Sequence, residues 1–339
     1  MRKLLILSSL LLCFAPLKAQ EELQFLLISG VEDTKRFVYD YLKPGTEAAM
    51  YNLSNGWYHT AEVKNPLGFE LSIVGNASLD LGSHQSFFLN TEDYENVQFA
   101  DGALGKEVST LFGQNEPGVQ VQSLYQNSSG DQQSIVYDLP QGVGEAEVNY
   151  FPLAFLQARL GLFKGTEVKA RYFPNINYNE VKAGLIGGAI QHEFTSWIPG
   201  ADLFPVSVAG LVGYTEMNAE YDFTEAVLLE GENQILDAEM YTWVFAAIIS
   251  TRIPVFNIYG GIGYASGTSE TRMRGTYEIV DTDSGENLAT LTDPLKVSHE
   301  IGGLIANLGI SFKLGILKLN ADYNLQQYNT VSVGVHVGY

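Results

Sequence analysis

Ser298-His299-Glu300 brings together the residue types of a nucleophilic hydrolase, so it is the first place in this chain to look for chemistry. Neighbours along a strand point to opposite faces, and these three cannot form a triad alone. No Gly-x-Ser-x-Gly elbow occurs anywhere in the sequence. The histidines at 59, 84, 192, 299 and 336 are scattered, without the close spacing of a zinc motif. His192-Glu193 imitates part of one, but no second histidine follows four residues on. Asp281, Asp283, Glu286 and Asp293 could gather calcium, yet the twelve-residue loop with its closing glutamate is missing. A solvated acidic loop is the simpler reading. Gly260-Gly-Ile-Gly263 and Gly184-Leu-Ile-Gly-Gly188 lack the strand-to-helix setting of a phosphate loop, and suit strand bending or close packing instead. The sequence therefore predicts no catalytic residue, no metal site and no cofactor. A lipid-active enzyme stays as a third reading.

The remaining functional candidates are polar residues that alternate with apolar ones: Gln157 and Arg159, then Lys313, Lys318, Asn320 and Asp322, and finally His336. In a closed barrel they would face the lumen and tune what passes. The plainer alternative is that they satisfy one another inside a filled barrel.

The elements that would position them show a period of two. From Val331 to Tyr339, valines and the closing tyrosine occupy the odd positions, and Ser, Gly, His and Gly the even ones. Nine residues is about the length of a tilted membrane-spanning strand. Similar segments lie at 317–328, 304–314, 256–265, 241–251, 206–221, 183–194, 166–173, 148–162 and 69–81. The tight connections at 163–165, 252–254 and 314–316 fall on one side of such a wall, and 223–239 and 267–300 on the other. Outer-membrane barrels sort their loops in this way, with short turns on the periplasmic side. Aromatic residues suggest two interfacial girdles: Tyr172, Tyr214, Trp243, Tyr264 and Tyr323 at one level, and Phe69, Phe256, Phe312 and Tyr339 at the other.

The expected fold is thus an all-β, antiparallel transmembrane barrel of 10–14 strands. Twelve to fourteen is preferred, because 82–147 offers candidate strands at 84–90, 95–100, 118–126 and 133–139. The alternative for 82–147 is one long extracellular excursion. Residues 66–339 make the barrel, and 20–65 a short helical plug or periplasmic segment. Within the latter, a helix over 32–42 is predicted to end before Pro44, and a second turn to cover 46–53. Residues 1–19 read as a secretory signal cleaved near Ala19, which carries the one cysteine, Cys13. Losing Arg2, Lys3 and Lys18 leaves 16 basic against 39 acidic residues, a net charge of −23. Such a surface repels nucleic acid. Lipid and lipopolysaccharide are the expected partners, together with the outer-membrane assembly machinery, met through the last strand ending at Tyr339.

Two further stretches carry a resemblance. Asn52-Leu-Ser-Asn-Gly-Trp57-Tyr58-His-Thr-Ala61 is followed by Leu67-Gly-Phe69, and Gly187-Gly-Ala-Ile-Gln-His192-Glu-Phe by Trp197-Ile-Pro-Gly200. With the plug-like segment and the aromatic end, the chain resembles an uncharacterised group of Gram-negative outer-membrane proteins that is similar to the long-chain fatty acid transporter barrels. The resemblance implies a barrel of up to 14 strands with an N-terminal hatch, taking up hydrophobic compounds. It supplies no residue-level ligand motif. The expected function is a passive channel or transporter for small molecules, a hydrophobic ligand among them. A structural or adhesive protein acting through acidic extracellular loops is the alternative.

Overall fold

The computed structural model describes residues 25–79, 81–114, 118–126, 129–143, 150–178, 181–197, 199–200, 205–222, 231–280 and 287–338. The expected signal segment, Asp281, Asp283, Glu286 and Tyr339 lie outside them. The chain begins with helix α1 (Val31–Ser54), then strand β1 (Phe69–Ser78). Five short strands follow: β2 (Ser86–Asn90), β3 (Val97–Phe99), β4 (Gly105–Ser109), β5 (Gln120–Gln126) and β6 (Gln132–Asp138). Next come β7 (Phe151–Gly161), β8 (Thr166–Tyr178), β9 (Val181–Glu193), β10 (Val206–Asp222), β11 (Ile235–Thr251) and β12 (Phe256–Arg274). A hairpin, β13 (Thr276–Val280) and β14 (Asn287–Thr292), precedes β15 (Leu295–Leu314), β16 (Leu317–Leu325) and β17 (Thr330–Gly338).

Ten of these strands close a barrel in the order β1-β17-β16-β15-β12-β11-β10-β9-β8-β7, with β7 pairing back onto β1. Every pairing is antiparallel, so the fold is an all-β transmembrane barrel with a helical N-terminal segment. No described helix is long and apolar enough to cross a membrane. The preferred count of 12–14 strands is corrected to ten, because the described residues of 82–147 contribute none to the wall. Its strands pair among themselves, as β2–β4 and β3–β5–β6. They form a cap over one mouth, packing Leu89, Val97, Phe99 and Val121 against Phe37, Val38 and Tyr41 of α1 and Tyr277 of the hairpin. The described residues of 82–147 thus match the excursion rather than added wall strands.

The outer wall is apolar. Ile258, Ile262 and Tyr264 of β12, Trp243, Phe245 and Ile249 of β11, Leu304, Leu308 and Ile310 of β15, and Val333, Val335 and Val337 of β17 are all exposed. A soluble protein rarely leaves a contiguous apolar face of this extent, whereas acyl chains would cover it. Rings mark both edges of this belt. Tyr214 and Trp243 meet 4.8 Å apart at one edge, and Phe256 and Phe312 5.0 Å apart at the other.

Four strands run well past the belt, and the described residues of 267–300 are mostly strand rather than loop, contrary to expectation. Beyond Tyr214, Trp243, Tyr264 and Leu304 the outward residues become Glu216, Glu239, Glu270, Arg272 and Glu300. Inward positions turn apolar at the same level, with Met217, Met240 and Ile301 buried. The strand continues while its phase reverses, because its outer face has left lipid for water. Arg272 ties this face together, reaching Asp237 at 2.7 Å and Glu270 at 3.1 Å. A belt edge placed here has a direct check. Ile262→Arg, at a position 71% exposed to the acyl region, should cost about 2–4 kcal/mol of stability in lipid or detergent. Thr268→Arg, six residues nearer water on the same face, should be close to neutral, as measured by urea titration of the refolded protein.

α1 runs from the cap into the lumen as one helix of 24 residues with Pro44 inside it. The predicted break at Pro44 does not occur. Pro44 and Gly45 are buried, so packing outweighs the lost hydrogen bond of the proline. Ala48, Ala49, Met50 and Leu53 fill the upper lumen against Phe155, Phe173, Leu185 and Met217. Residues 55–68 then descend to the tight-turn mouth, where β1 begins. Small wall residues make room for them. A β-carbon on Gly213 would stand 2.9 Å from Trp57 Nε1, and one on Gly261 would collide with Tyr58 Oη.

Candidate functional site

The lower lumen is built around Glu70, which is 0% exposed at the start of β1. It is an inward position of an alternating strand, and barrel closure brings β7, β16 and β17 around it. Arg159 Nε of β7 lies 2.7 Å from one carboxylate oxygen. Lys318 of β16 donates to the other at 2.7 Å, and Lys64 of the plug stands 3.2 Å away. Arg159 also reaches Glu167 of β8 at 3.4 Å, and Glu167 meets Lys169 at 3.3 Å. The plug backbone joins this network, since Lys64 N–H donates to Glu167 at 3.0 Å.

Glu167, Lys169 and Arg171 alternate on β8 and therefore share the inward face. Lys169 Nζ donates to the Trp57 carbonyl and to Gln191, both at 2.7 Å. Arg171 donates to the carbonyls of Leu53 at 2.7 Å and Asn55 at 2.8 Å. Its guanidinium lies between the rings of Trp57, 3.7 Å away, and Phe155, 4.0 Å away. The last turn of α1 carries no basic residue of its own. The wall thus supplies the cation that a helix C-terminus favours, and satisfies carbonyls left open there. Asn76 of β1 donates to the Asn52 carbonyl at 2.6 Å, and Gln191 donates to those of Thr60 and Ala61 at 3.1 Å each.

Of the lumen-lining candidates, Gln157, Arg159, Asp322 and His336 are buried inside the barrel and Asn320 and Lys318 are half-buried there. Gln157 accepts from Arg171 at 3.3 Å. Lys313 stands exposed at the tight-turn mouth, outside the network of Glu70. Glu70, Glu167, Lys169, Arg171 and His59 were not singled out from sequence. The Glu-x-Lys-x-Arg pattern of β8 was the available sign, since three inward charges on one strand need partners inside.

The histidines fall into different settings. His299 shares a 2.8 Å hydrogen bond with the Tyr39 carbonyl, while Ser298 and Glu300 face outward, so that tripeptide assembles nothing. His192 shares 2.8 Å with Thr166. His59 of the plug stacks on His336 of β17, with ring centres 3.9 Å apart. His59, Glu70 and His336 hold their ligand atoms within 4.8 Å of one another, the spacing of a metal cage. A divalent ion does not fit here. It would face Arg159, Lys64 and Lys318 around the same carboxylate, and both His336 nitrogens are engaged, by Ser72 at 2.7 Å and Asn320 at 2.6 Å. Asn320 in turn donates to Tyr259 Oη, which donates to Asp322 at 2.6 Å. Ser72, His336 and Asn320 have the residue types of a triad, but Ser72 is 6% and His336 2% exposed, leaving a substrate carbonyl no approach.

Burial, followed by the neighbouring His336 and Arg159, pushes the His59 imidazole well below its usual range, against the pull of Glu70. The folded plug thus holds His59 neutral, whereas the unfolded chain protonates it below about pH 6.5. Stability present above that pH is lost as pH falls toward 5, by up to about 1.4 kcal/mol per unit. The urea midpoint of the refolded protein should drop between pH 7 and 5, and His59→Gln should flatten the drop. A midpoint that falls equally in the variant would assign the effect elsewhere.

A closed barrel with an apolar outer wall and its own N-terminal segment in the lumen is a plugged transmembrane β-barrel. Within that class, the chain belongs to the family described as "Family of unknown function (DUF6588)", whose model matches residues 1–339. No curated protein matches it. Among solved structures it is similar to the attachment invasion locus protein Ail of Yersinia pestis in complex with a heparin analogue, at 12% identity and TM-score 0.25, covering 80% of this chain and 97% of that one. The translocator domain of autotransporter NalP from Neisseria meningitidis matches at 12% identity and TM-score 0.32, covering 88% and 98%. A FadL homologue of Pseudomonas aeruginosa matches at 8% identity and TM-score 0.22, covering 88% and 97%. The fold assignment rests on the chain's own strand pairing.

Proposed function

We propose that this protein is an outer-membrane barrel of a Gram-negative bacterium that offers small molecules, hydrophobic ones among them, a passive passage closed at rest by its own N-terminal segment. On this reading the protein arrives after cleavage near Ala19, is assembled through its last strand, and sits in lipid and lipopolysaccharide with the tight turns inside. It needs no cofactor and performs no catalysis.

One observation carries the reading: the plug below Leu53 is held by buried ionic and polar contacts to the wall. A permanently filled barrel gains little from such groups, because apolar packing of the same volume is often as stable. Polar groups on both surfaces can instead exchange one another for water when the plug shifts, leaving a wettable lumen. The apolar seating of Ala48–Leu53 favours the second reading, a non-transporting structural or adhesive barrel. Planar-bilayer recording of the refolded chain, with and without residues 20–60, separates the two. Passage predicts small or intermittent conductance in the full chain and a large steady one in the truncated chain. Absent conductance in both removes passage and leaves the structural reading.

A further inference from the structure

Beneath the Glu70 network the tight-turn mouth opens into a pocket of about 550 Å³ that Lys64, Arg159, Lys313 and Lys318 help to line, together with Glu62 and the stretch from Val63 to Gly68. A second pocket of about 180 Å³ shares Thr60, Glu62, Lys313 and Lys318 with it and adds His59 and Arg252. The charge around this mouth runs against that of the chain. Overall, 39 acidic residues outnumber 19 basic ones. Here Lys64, Arg159, Lys169, Arg252, Lys313 and Lys318 stand against Glu62, Glu70, Glu167 and Glu193. Lys318 spends one proton on Glu70 and keeps two. Lys313 makes no ion pair among the described residues, and it projects where both pockets meet.

We infer that this mouth binds a small oxyanion, a carboxylate or a phosphate, with Lys313 and Lys318 as its principal ligands. The inference rests on the passage reading for its purpose, since an anion held there stands at the inner end of the path. Binding itself does not require the path to open. Excess positive charge inside low-dielectric walls focuses the field on the pocket and raises the local anion concentration. Two ammonium groups on flexible stems act as point charges, each able to reach one oxygen of a small oxyanion without imposing a fixed geometry on it. The oxyanion has two conceivable sources, a free solute or the headgroup of an anionic lipid at the rim.

Isothermal titration of the refolded full chain with inorganic phosphate tests this, in neutral detergent and in nanodiscs of phosphatidylcholine or phosphatidylglycerol. Saturable binding is expected in detergent and phosphatidylcholine. Lys313→Gln lies outside the Glu70 network, so the plug stays seated, and it should weaken binding about tenfold, as loss of one charge-assisted contact does. Lys296→Gln, on the outer face beyond the belt, should bind as wild type. Loss of phosphate binding in phosphatidylglycerol discs alone identifies a headgroup as occupant, and equal binding in both identifies a free solute. No saturable heat in any setting, or wild-type affinity in Lys313→Gln, overturns the inference. Binding without conductance in the truncated chain would retain this site and remove passage; conductance without phosphate binding would do the reverse.

Discussion

Replacing Glu70 by glutamine should destabilise the barrel by about 3–5 kcal/mol, the usual cost of removing one partner from a buried ionic group. The substitution keeps the shape and deletes the only charge that Arg159, Lys318 and Lys64 share at distances of 2.7–3.2 Å. Three cations would then face one another at a site with no exposure. Water in the mouth pocket reaches Lys64 and Lys318 but not the buried position of residue 70, so full relief requires residues 55–68 to move. The urea midpoint should therefore fall, and single-channel recordings should show more frequent openings. Adding Lys318→Met to Glu70→Gln should recover part of the loss, because it removes one of the stranded charges. Glu220→Gln, which breaks half-exposed contacts on the outer face, should cost less than about 1 kcal/mol. Equal losses in Glu70→Gln and Glu220→Gln would show that the lumenal network is wet and loosely held.

Arg171→Met is expected to have the next largest effect, about 2–4 kcal/mol, and to act on the plug in particular. Methionine retains an apolar stem between Trp57 and Phe155 but donates nothing to the carbonyls of Leu53 and Asn55. Neither carbonyl is wholly abandoned: Thr215 still donates to Leu53 at 3.2 Å and Asn76 to Asn55 at 3.2 Å. The cost is therefore nearer that of two weakened buried hydrogen bonds and a lost cation–aromatic contact than of two orphaned acceptors. Trp57 emission should shift to the red, and protease should cut within 55–68 while the barrel remains folded. Arg171→Lys should restore little, since an ammonium cannot span both carbonyls and stack on both rings. Full rescue by lysine would mean that charge alone, rather than the fork, holds the plug.

The wall was legible in the sequence because lipid imposes its demand on every second residue from Phe69 to Val337. Where strands leave lipid, as at Glu239, Glu270 and Glu300, the demand reverses phase, and the same rule that found these strands ended them too early; the strand through Glu216 was read nearly to its end. Pieces of the cap looked like strands, but their partners are chosen by packing against Phe37 and Tyr41, which local pattern does not encode. Pro44 reads as a stop because local propensity takes no account of the surrounding wall. The inward set Gln157, Arg159, Lys318, Asn320, Asp322 and His336 followed from parity alone. That Glu70 gathers Arg159, Lys318 and His336 did not, because β1, β7, β16 and β17 become neighbours only when the barrel closes, across sequence separations as long as that from Glu70 to Lys318.

The seating of the plug in the lumen can be measured directly. Thr60 Oγ1 of the plug and Ser250 Oγ of β11 lie 3.2 Å apart in the buried lower lumen. With Cys13 replaced, the Thr60→Cys/Ser250→Cys pair should form a disulfide in the refolded full chain under mild oxidation, shift its mobility on a non-reducing gel, and suppress openings in the bilayer until reduced. A pair that stays reduced in a barrel otherwise folded would place residues 55–68 outside the lumen and contradict the account.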